Sequence, residues 1–463
     1  MASLSSHVRT PISAQEDLGR GYDDWIKMPP LTPSERPLAI LKHKCKQYFV
    51  VLLLTVPSVI LCYLFSLLVE AAVKHWNSKY IAPLQSNPII AGMIGEPFHE
   101  LSPGLIYGTF TVLVVLCPYL CCLMKMFGHL LFMYGRQLLP VWRTAFLWCS
   151  LMGGGNMMAA IIMQASGAHV PRIAWMGMIF VALFSGLFFC ARQAGRILDY
   201  PGLTWLYFRA GFTANVLLYV YAVLFPFWFF ATQELGVKLF LAIGFHPMVE
   251  YVVAFMLQHT ATQLRHNDPA TSISPGFHYN LLFALYGSFL LVNFEQAWQN
   301  ILGFTLLRAW SVFSKVFAQE LTYFTYLACC KTPEETAKIL SSVRFKRYRN
   351  DIINCGLLIE SVAICVAGAV TFLFKFNKYS DGHREEATGL VETLSVVGLQ
   401  LLIGVLCDAL ADAGLAYRGS PWHNAWQTQM PYAIPKFAFI SFVSVGMFLF
   451  YFYPFLASRM VIQ

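Results

Sequence analysis

The chain alternates between long apolar runs and short polar segments from Tyr48 to Ala457. An uninterrupted apolar run of about 20 residues is long enough to cross the hydrocarbon core of a bilayer as a helix. The pattern therefore predicts an all-α, polytopic transmembrane helix bundle with about eleven spans. In chain order these are Tyr48–Val73, Leu105–Met124, Thr144–Gln164, Ile173–Cys190, Ala210–Ala231, Leu239–Gln258, Tyr279–Val292, Ile301–Tyr326, Ile352–Phe374, Gly389–Ala411 and Phe437–Ala457.

Residues 279–330 are the least regular part of this pattern. The first of its two apolar runs is short, and the second contains Arg308, Lys315 and Glu320. Two crossings are the first interpretation, and an amphipathic helix lying in the membrane interface is the alternative. The alternative lowers the expected number of spans to nine.

The polar residues 1–41 predict a disordered cytoplasmic tail, and residues 42–463 predict a single membrane domain. A division into five, five and one spans gives possible halves at 48–231 and 239–411. Each half then begins with a helix that contains proline, Pro57 in the first and Pro247 in the second. Inverted repeats with broken helices are typical of several secondary transporters.

Composition supports the membrane interpretation and adds an orientation. Of the 463 residues, 57% are hydrophobic and only 12% are charged, whereas soluble domains carry about 25% charged residues. Every second predicted loop is basic, which places the N-terminus in the cytoplasm and the C-terminus outside. The net charge of +8 then reports membrane orientation, and no nucleic-acid partner is expected. The choice between plasma membrane and endomembrane, and a possible homo-oligomer, stay open.

The twelve cysteines lie in predicted spans or on the predicted cytoplasmic side, which disfavours a disulfide framework. Two pairs stand at cytoplasmic span ends beside lysines, Cys121 with Cys122 and Cys329 with Cys330. Cysteines in that position are candidates for S-palmitoylation. Packing as small apolar side chains is the equally weighted alternative.

The sixth predicted span carries the most informative polar residues. His246 and Glu250 are four residues apart, so they share one helix face, and Pro247 loosens the turn before it. Ionisable side chains at membrane depth usually line a water-filled path or a binding site. A hydrogen bond that only joins two helices is the plainer alternative.

Three further carboxylates fall in later spans. Glu360 lies among small residues well inside its span, where it either serves a site or packs between helices. Asp408 and Asp412 are four residues apart, a spacing that can hold a divalent metal against a diphosphate. The string from Gly404 to Asp412 resembles the second half of the CDP-alcohol phosphotransferase motif. The first half of that motif is missing, because residues 390–395 read LVETLS.

A looser polar stripe is formed by Glu295, Arg308, Lys315 and Glu320. A solvated or interfacial helix face is the expected explanation of this stripe. The sharper alternative is a pore-lining helix, because Arg308 and Lys315 are seven residues apart and therefore share one face.

No phosphate-binding glycine loop, nucleophile elbow or HExxH motif occurs in the chain. The sequence favours a carrier or channel for a small solute or ion, with His246, Glu250, Glu360 and Asp408 as candidate liners. A receptor, scaffold or assembly protein is the first alternative. A metal-dependent membrane enzyme acting on a lipid or prenyl substrate through Asp408 and Asp412 is the second. No cofactor is expected, and the predicted partners are the bilayer and the solute.

Overall fold

The computed structural model describes residues 36–75, 119–151, 172–232, 234–264, 274–292, 294, 297–329, 331–375, 383–418 and 434–449. All the regular secondary structure in these ranges is helical, and they contain no strand. The all-α fold class predicted from the apolar runs is therefore confirmed for the described residues.

The longer helices in the described ranges are, in chain order, α1 (Arg36–His75), α2 (Arg172–Ile197), α3 (Gly202–Ala231), α4 (Leu235–Gln263), α5 (Ser274–Val292), α6 (Ala297–Val316), α7 (Ala318–Ala328), α8 (Val343–Lys375), α9 (His383–Tyr417) and α10 (Ile434–Leu449). Shorter helical segments occupy His129–Tyr134, 141–151 and Pro333–Ser341. Helix α1 begins before the predicted end of the tail, so residues 36–41 are helical. The rest of the predicted tail lies outside the described residues.

Within the described ranges, four helical segments are long and apolar enough to cross a membrane, namely Cys45–Leu64, Leu235–Gln263, Asp351–Val370 and Leu394–Tyr417. Helices α6 and α7 qualify only as a pair, and they are bent by 80° at the break between them. The structure therefore supports membrane-length helices in this protein, while the number and orientation of the crossings stay predictions.

Helix α8 forms the centre of the bundle and packs against α1, α5 and α9. In its apolar stretch 69% of the residues are buried, compared with 22% in that of α9. Small side chains allow this close packing, since Ala363 and Ala367 are completely buried. The small residues around Glu360 in the sequence thus mark the helix that the others surround.

Helix α1 shows how the outer surface differs from this centre. Leu52, Val56 and Ile60 recur every four residues and are each more than half exposed, while Leu54 and Leu61 on the other side are buried. A continuous apolar stripe on a helix surface needs an apolar surrounding. Lipid tails provide that surrounding if the helix crosses a bilayer.

Helix α4 contains a π turn at Leu241–Phe245, where the N–H of His246 donates to the carbonyl of Leu241. Pro247 follows directly, and it has no N–H to donate to Ile243 in the preceding turn. Widening that turn removes the clash between the proline ring and the carbonyl. The loosened turn predicted from Pro247 is therefore present, and it holds His246 at its C-terminal end.

Candidate functional site

His246 is buried between three helices. The Tyr221 hydroxyl on α3 forms a hydrogen bond with His246 Nδ1, and Phe283 on α5 lies with its ring centre 6.1 Å from the imidazole. A Cβ atom at position 287 would lie only 2.6 Å from His246 Nε2, so α5 approaches this closely because residue 287 is glycine. The partner of His246 is thus Tyr221 rather than Glu250, the neighbour that the sequence suggested.

Glu250 follows one turn later on the same side of α4 and is only partly buried. Met248 and Val252 are exposed, and because each is two residues from Glu250 they face the opposite side of α4. The positive charges of Lys315 and Arg308 both act on it. Glu250 therefore belongs to the electrostatic surroundings of α6.

Four charged side chains of the described residues meet between α6, α8 and α9, and we call Arg308, Lys315, Glu360 and Asp408 the charge cluster. Arg308 pairs with Glu360. Lys315 Nζ lies 2.9 Å from Glu360 Oε1 and 3.6 Å from Asp408 Oδ1. Ser311 Oγ donates to Glu360 Oε1 at 2.7 Å. Glu360 thus has two ion-pair partners and one hydroxyl donor from three successive turns of α6.

Packing holds the Arg308 side chain in place. Its guanidinium carbon lies 5.0 Å from the ring centre of Phe304, one turn earlier on the same helix. On α9, a Cβ at Gly404 would be 3.4 Å from an Arg308 nitrogen, so the absence of a side chain there leaves room for the guanidinium. Only 4% of Arg308 is exposed. An arginine buried to this degree requires a charged partner, which Glu360 supplies.

The charge cluster corrects the expected solvated or interfacial face for Arg308 and Lys315. Both side chains point into the bundle, because the carboxylates on α8 and α9 attract them there. Glu320 behaves differently, since it is only partly buried and pairs with Arg418. Glu295, the first residue of the stripe, lies outside the described residues. The spacing of seven residues between Arg308 and Lys315 was the signal that could have placed them in the site.

The two aspartates on α9 have different surroundings. Asp408 is paired with Lys315, and Asp412 is buried one turn further on. Across the described ranges, no group of three or more His, Cys, Asp or Glu side chains is arranged to hold a metal ion. The spacing of Asp408 and Asp412 predicted a metal site, and the described ranges provide no third protein ligand for it.

The candidate lipidation sites differ in access. Cys121 and Cys122 are buried, whereas Cys329 is exposed. Cys330 lies outside the described residues. A modifying enzyme can reach the Cys329 thiol in this packing, while the thiols of Cys121 and Cys122 are closed to it.

No protein-family model, curated protein or solved structure matched this chain.

Proposed function

We propose that this protein is a multi-pass membrane carrier or channel for a small solute or ion. The observation that carries this proposal is the charge cluster, with the partly accessible Glu250 beside it. Glu250 on α4, Glu360 on α8 and Asp408 on α9 all lie within the influence of the same two cations on α6. Charged residues inside a membrane bundle are rare, and they usually mark ion or substrate pathways.

The balance of charge in this group favours a mobile positive species. Arg308 and Lys315 supply two positive charges, and Glu250, Glu360 and Asp408 supply three negative charges when ionised. Glu360 already receives both cations, so Glu250 shares them only at longer range. A proton, a metal cation or a cationic group of a solute would complete the balance at Glu250. Binding of that species would also change the relative strength of the ion pairs that Lys315 forms with Glu360 and with Asp408.

Helix breaks near the cluster support a transport mechanism. The π turn before His246 interrupts α4, and the bend of 80° separates α6 from α7 directly after Lys315. Interrupted helices expose backbone carbonyls and provide hinges, and several transporters place their binding sites at such breaks. The π turn lies in α4, which carries Glu250. The bend directly follows α6, which carries Arg308 and Lys315.

The membrane arrangement that we propose is the one predicted from the apolar runs. It has eleven crossings, an N-terminus in the cytoplasm and a C-terminus outside, with α6 and α7 as one broken crossing. Nine crossings remain the alternative if residues 279–330 lie in the membrane interface and do not cross. The halves at 48–231 and 239–411, and a homo-oligomer, also stay predictions.

The test is charge movement in reconstituted vesicles. Solid-supported membrane recording detects electrogenic movement of any charged solute, and it can be screened over inorganic cations, inorganic anions and small organic ions. We expect wild-type currents with one of these classes and their loss in Glu250→Gln. The matched control is Glu334→Gln, because Glu334 is an exposed glutamate on the short helix Pro333–Ser341. Equal currents in wild type and Glu250→Gln would remove Glu250 from the mechanism.

A receptor, scaffold or assembly protein is the second candidate, and one observation favours it. The His246 imidazole has a hydrogen-bond partner in Tyr221, and the cations of the charge cluster already have carboxylate partners. Such pairs can serve only to hold helices together. Under this function, the wild type itself carries no current with any of the ions screened, which separates it from transport.

A further inference from the structure

A second polar centre lies away from the charge cluster and shares no residue with it. It surrounds a cavity of about 30 Å³ lined by Lys125, His129, Tyr207, Thr260 and Tyr279 together with apolar side chains. One water molecule needs about 10–15 Å³ on this measure. The cavity therefore has room for a monatomic ion or about two to three waters, and it is too small for a phosphate or a lipid headgroup.

Lys125 is 3% exposed and stands in this wall without a carboxylate partner among the described residues. Its ammonium group donates to the side-chain oxygen of Asn215 and lies 5.4 Å from the ring centre of Tyr279. Both contacts involve neutral groups. The Tyr207 hydroxyl donates to the Lys125 carbonyl at 2.7 Å, which holds the backbone of this lysine in position. A buried ammonium with only neutral partners lacks a counter-charge.

His129 follows Lys125 by one turn and lines the same cavity. It is 2% exposed, and neither of its ring nitrogens has a hydrogen-bond partner in the described structure. Buried polar groups in folded proteins are nearly always bonded, so an unbonded imidazole in a cavity wall indicates that something occupies the cavity. A neutral imidazole carries one N–H, which can donate to that occupant.

We propose that the cavity between Lys125 and His129 binds a small monovalent anion of the size of chloride. The ammonium of Lys125 supplies the charge, and the ring N–H of His129 supplies a directed donor. Hydroxyl groups of Tyr207, Thr260, Tyr279 and Tyr348 belong to the same wall, and the rest of its lining is apolar. A cation is disfavoured, because Lys125 would repel it and the described wall holds no carboxylate.

The experiment measures thermal unfolding of the purified full-length protein in detergent while chloride replaces gluconate at constant ionic strength. Gluconate is too large for the cavity, so only chloride can bind. An ion that binds the folded protein raises its unfolding temperature. We expect a saturable rise of about 2 °C or more in the wild type. We expect no rise in Lys125→Met and the full rise in Lys338→Met, whose lysine is exposed on the helix Pro333–Ser341.

A second measurement keeps the proposal testable if Lys125→Met does not fold. Chloride-35 magnetic resonance of the wild-type protein should show line broadening that excess bromide reverses, and His129→Phe should reduce it by filling the cavity. An unfolding temperature independent of chloride in the wild type would overturn the proposal. So would a chloride response that persists in Lys125→Met. Neither result depends on whether Glu250 takes part in transport.

Discussion

Lys315 Nζ lies 2.9 Å from Glu360 Oε1, so the ammonium ties α6 to the central helix α8 inside the bundle. The same ammonium lies 3.6 Å from Asp408 Oδ1 on α9. One lysine therefore bridges two carboxylates on two helices. A group in this position can hold the helices together, and it can also shift from one carboxylate to the other when charge nearby changes.

Replacing Lys315 by methionine should destabilise the protein, because it leaves Asp408 buried without this cation. Breaking a buried ion pair from one side typically costs about 3–5 kcal/mol. The free energy of unfolding, measured by titration with a denaturing detergent, gives this loss. The exposed Lys338→Met should change it by less than about 0.5 kcal/mol.

The double variant Lys315→Met with Asp408→Asn tests the cause of that loss. It removes both the cation and the carboxylate, so we expect part of the stability to return. Losses that simply add in the double variant would show that the two side chains do not interact.

Gly287 provides a test of the contact between α5 and His246. Gly287→Ala places a methyl group where it would lie 2.6 Å from His246 Nε2, so the imidazole must move away from Tyr221. Overpacking of this kind costs about 1–3 kcal/mol. Gly398→Ala on α9 is the matched change, because its added methyl group meets no described atom within 4 Å beyond its chain neighbours and the backbone of its own helical turns. Alanine favours a helix over glycine, so Gly398→Ala should be neutral or stabilising. Equal losses in both variants would contradict the described packing.

His129, which lies outside the candidate spans, predicts a pH dependence of stability. Burial, and to a smaller extent the charge of Lys125, lowers the pKa of His129 from its ordinary value of 6.5 to about 3. Between these values the unfolded chain binds a proton that the folded chain does not. Stability should therefore fall as the pH drops below 6.5, by about 1.4 kcal/mol per pH unit for this group.

Comparison of wild type with His129→Phe isolates that contribution from the other histidines. Unfolding measured at pH 7.5, 6.5 and 5.5 should show a shallower acid loss in the variant. Identical slopes would mean that the His129 imidazole is already protonated, or reachable by protons, in the folded protein.

Access to the cysteines gives a chemical test of the packing around the second predicted span. A maleimide applied to the folded protein should modify the exposed Cys329 quickly and leave Cys121 and Cys122 unmodified. Peptide mass spectrometry separates these sites. Rapid labelling of Cys121 would show that its helix is not packed as described.

The sequence predicted local features of this fold well. Pro247 indicated the loosened turn before it, and the small residues near Glu360 indicated a closely packed helix. These features depend on residues within a turn or two of one another. The all-α class also followed, since long apolar runs leave few other structures available in lipid.

The arrangement of the site could not be predicted from such local features of the sequence. His246 contacts Tyr221 on a different helix. Lys315 contacts Glu360 and Asp408, which lie on two further helices. These contacts depend on how the helices are rotated and ordered. Arg308 and Lys315 looked like an interfacial stripe because nothing in their own segment shows the carboxylates that draw them inward. Burial of His129 without a hydrogen-bond partner among the described residues likewise depends on α3, α4 and α5 closing around the cavity.

The proposed transport function requires that water or a solute reach Glu250 in the folded bundle. The most direct measurement is modification by a water-soluble carbodiimide in sealed vesicles, followed by mass spectrometry at Glu250 and at the exposed Glu334. We expect Glu250 to be modified more slowly than Glu334 but completely, and to be protected by any ion or solute that the protein carries. A Glu250 that stays unmodified until detergent unfolds the protein, while Glu334 reacts fully, would rule out a transport pathway through Glu250.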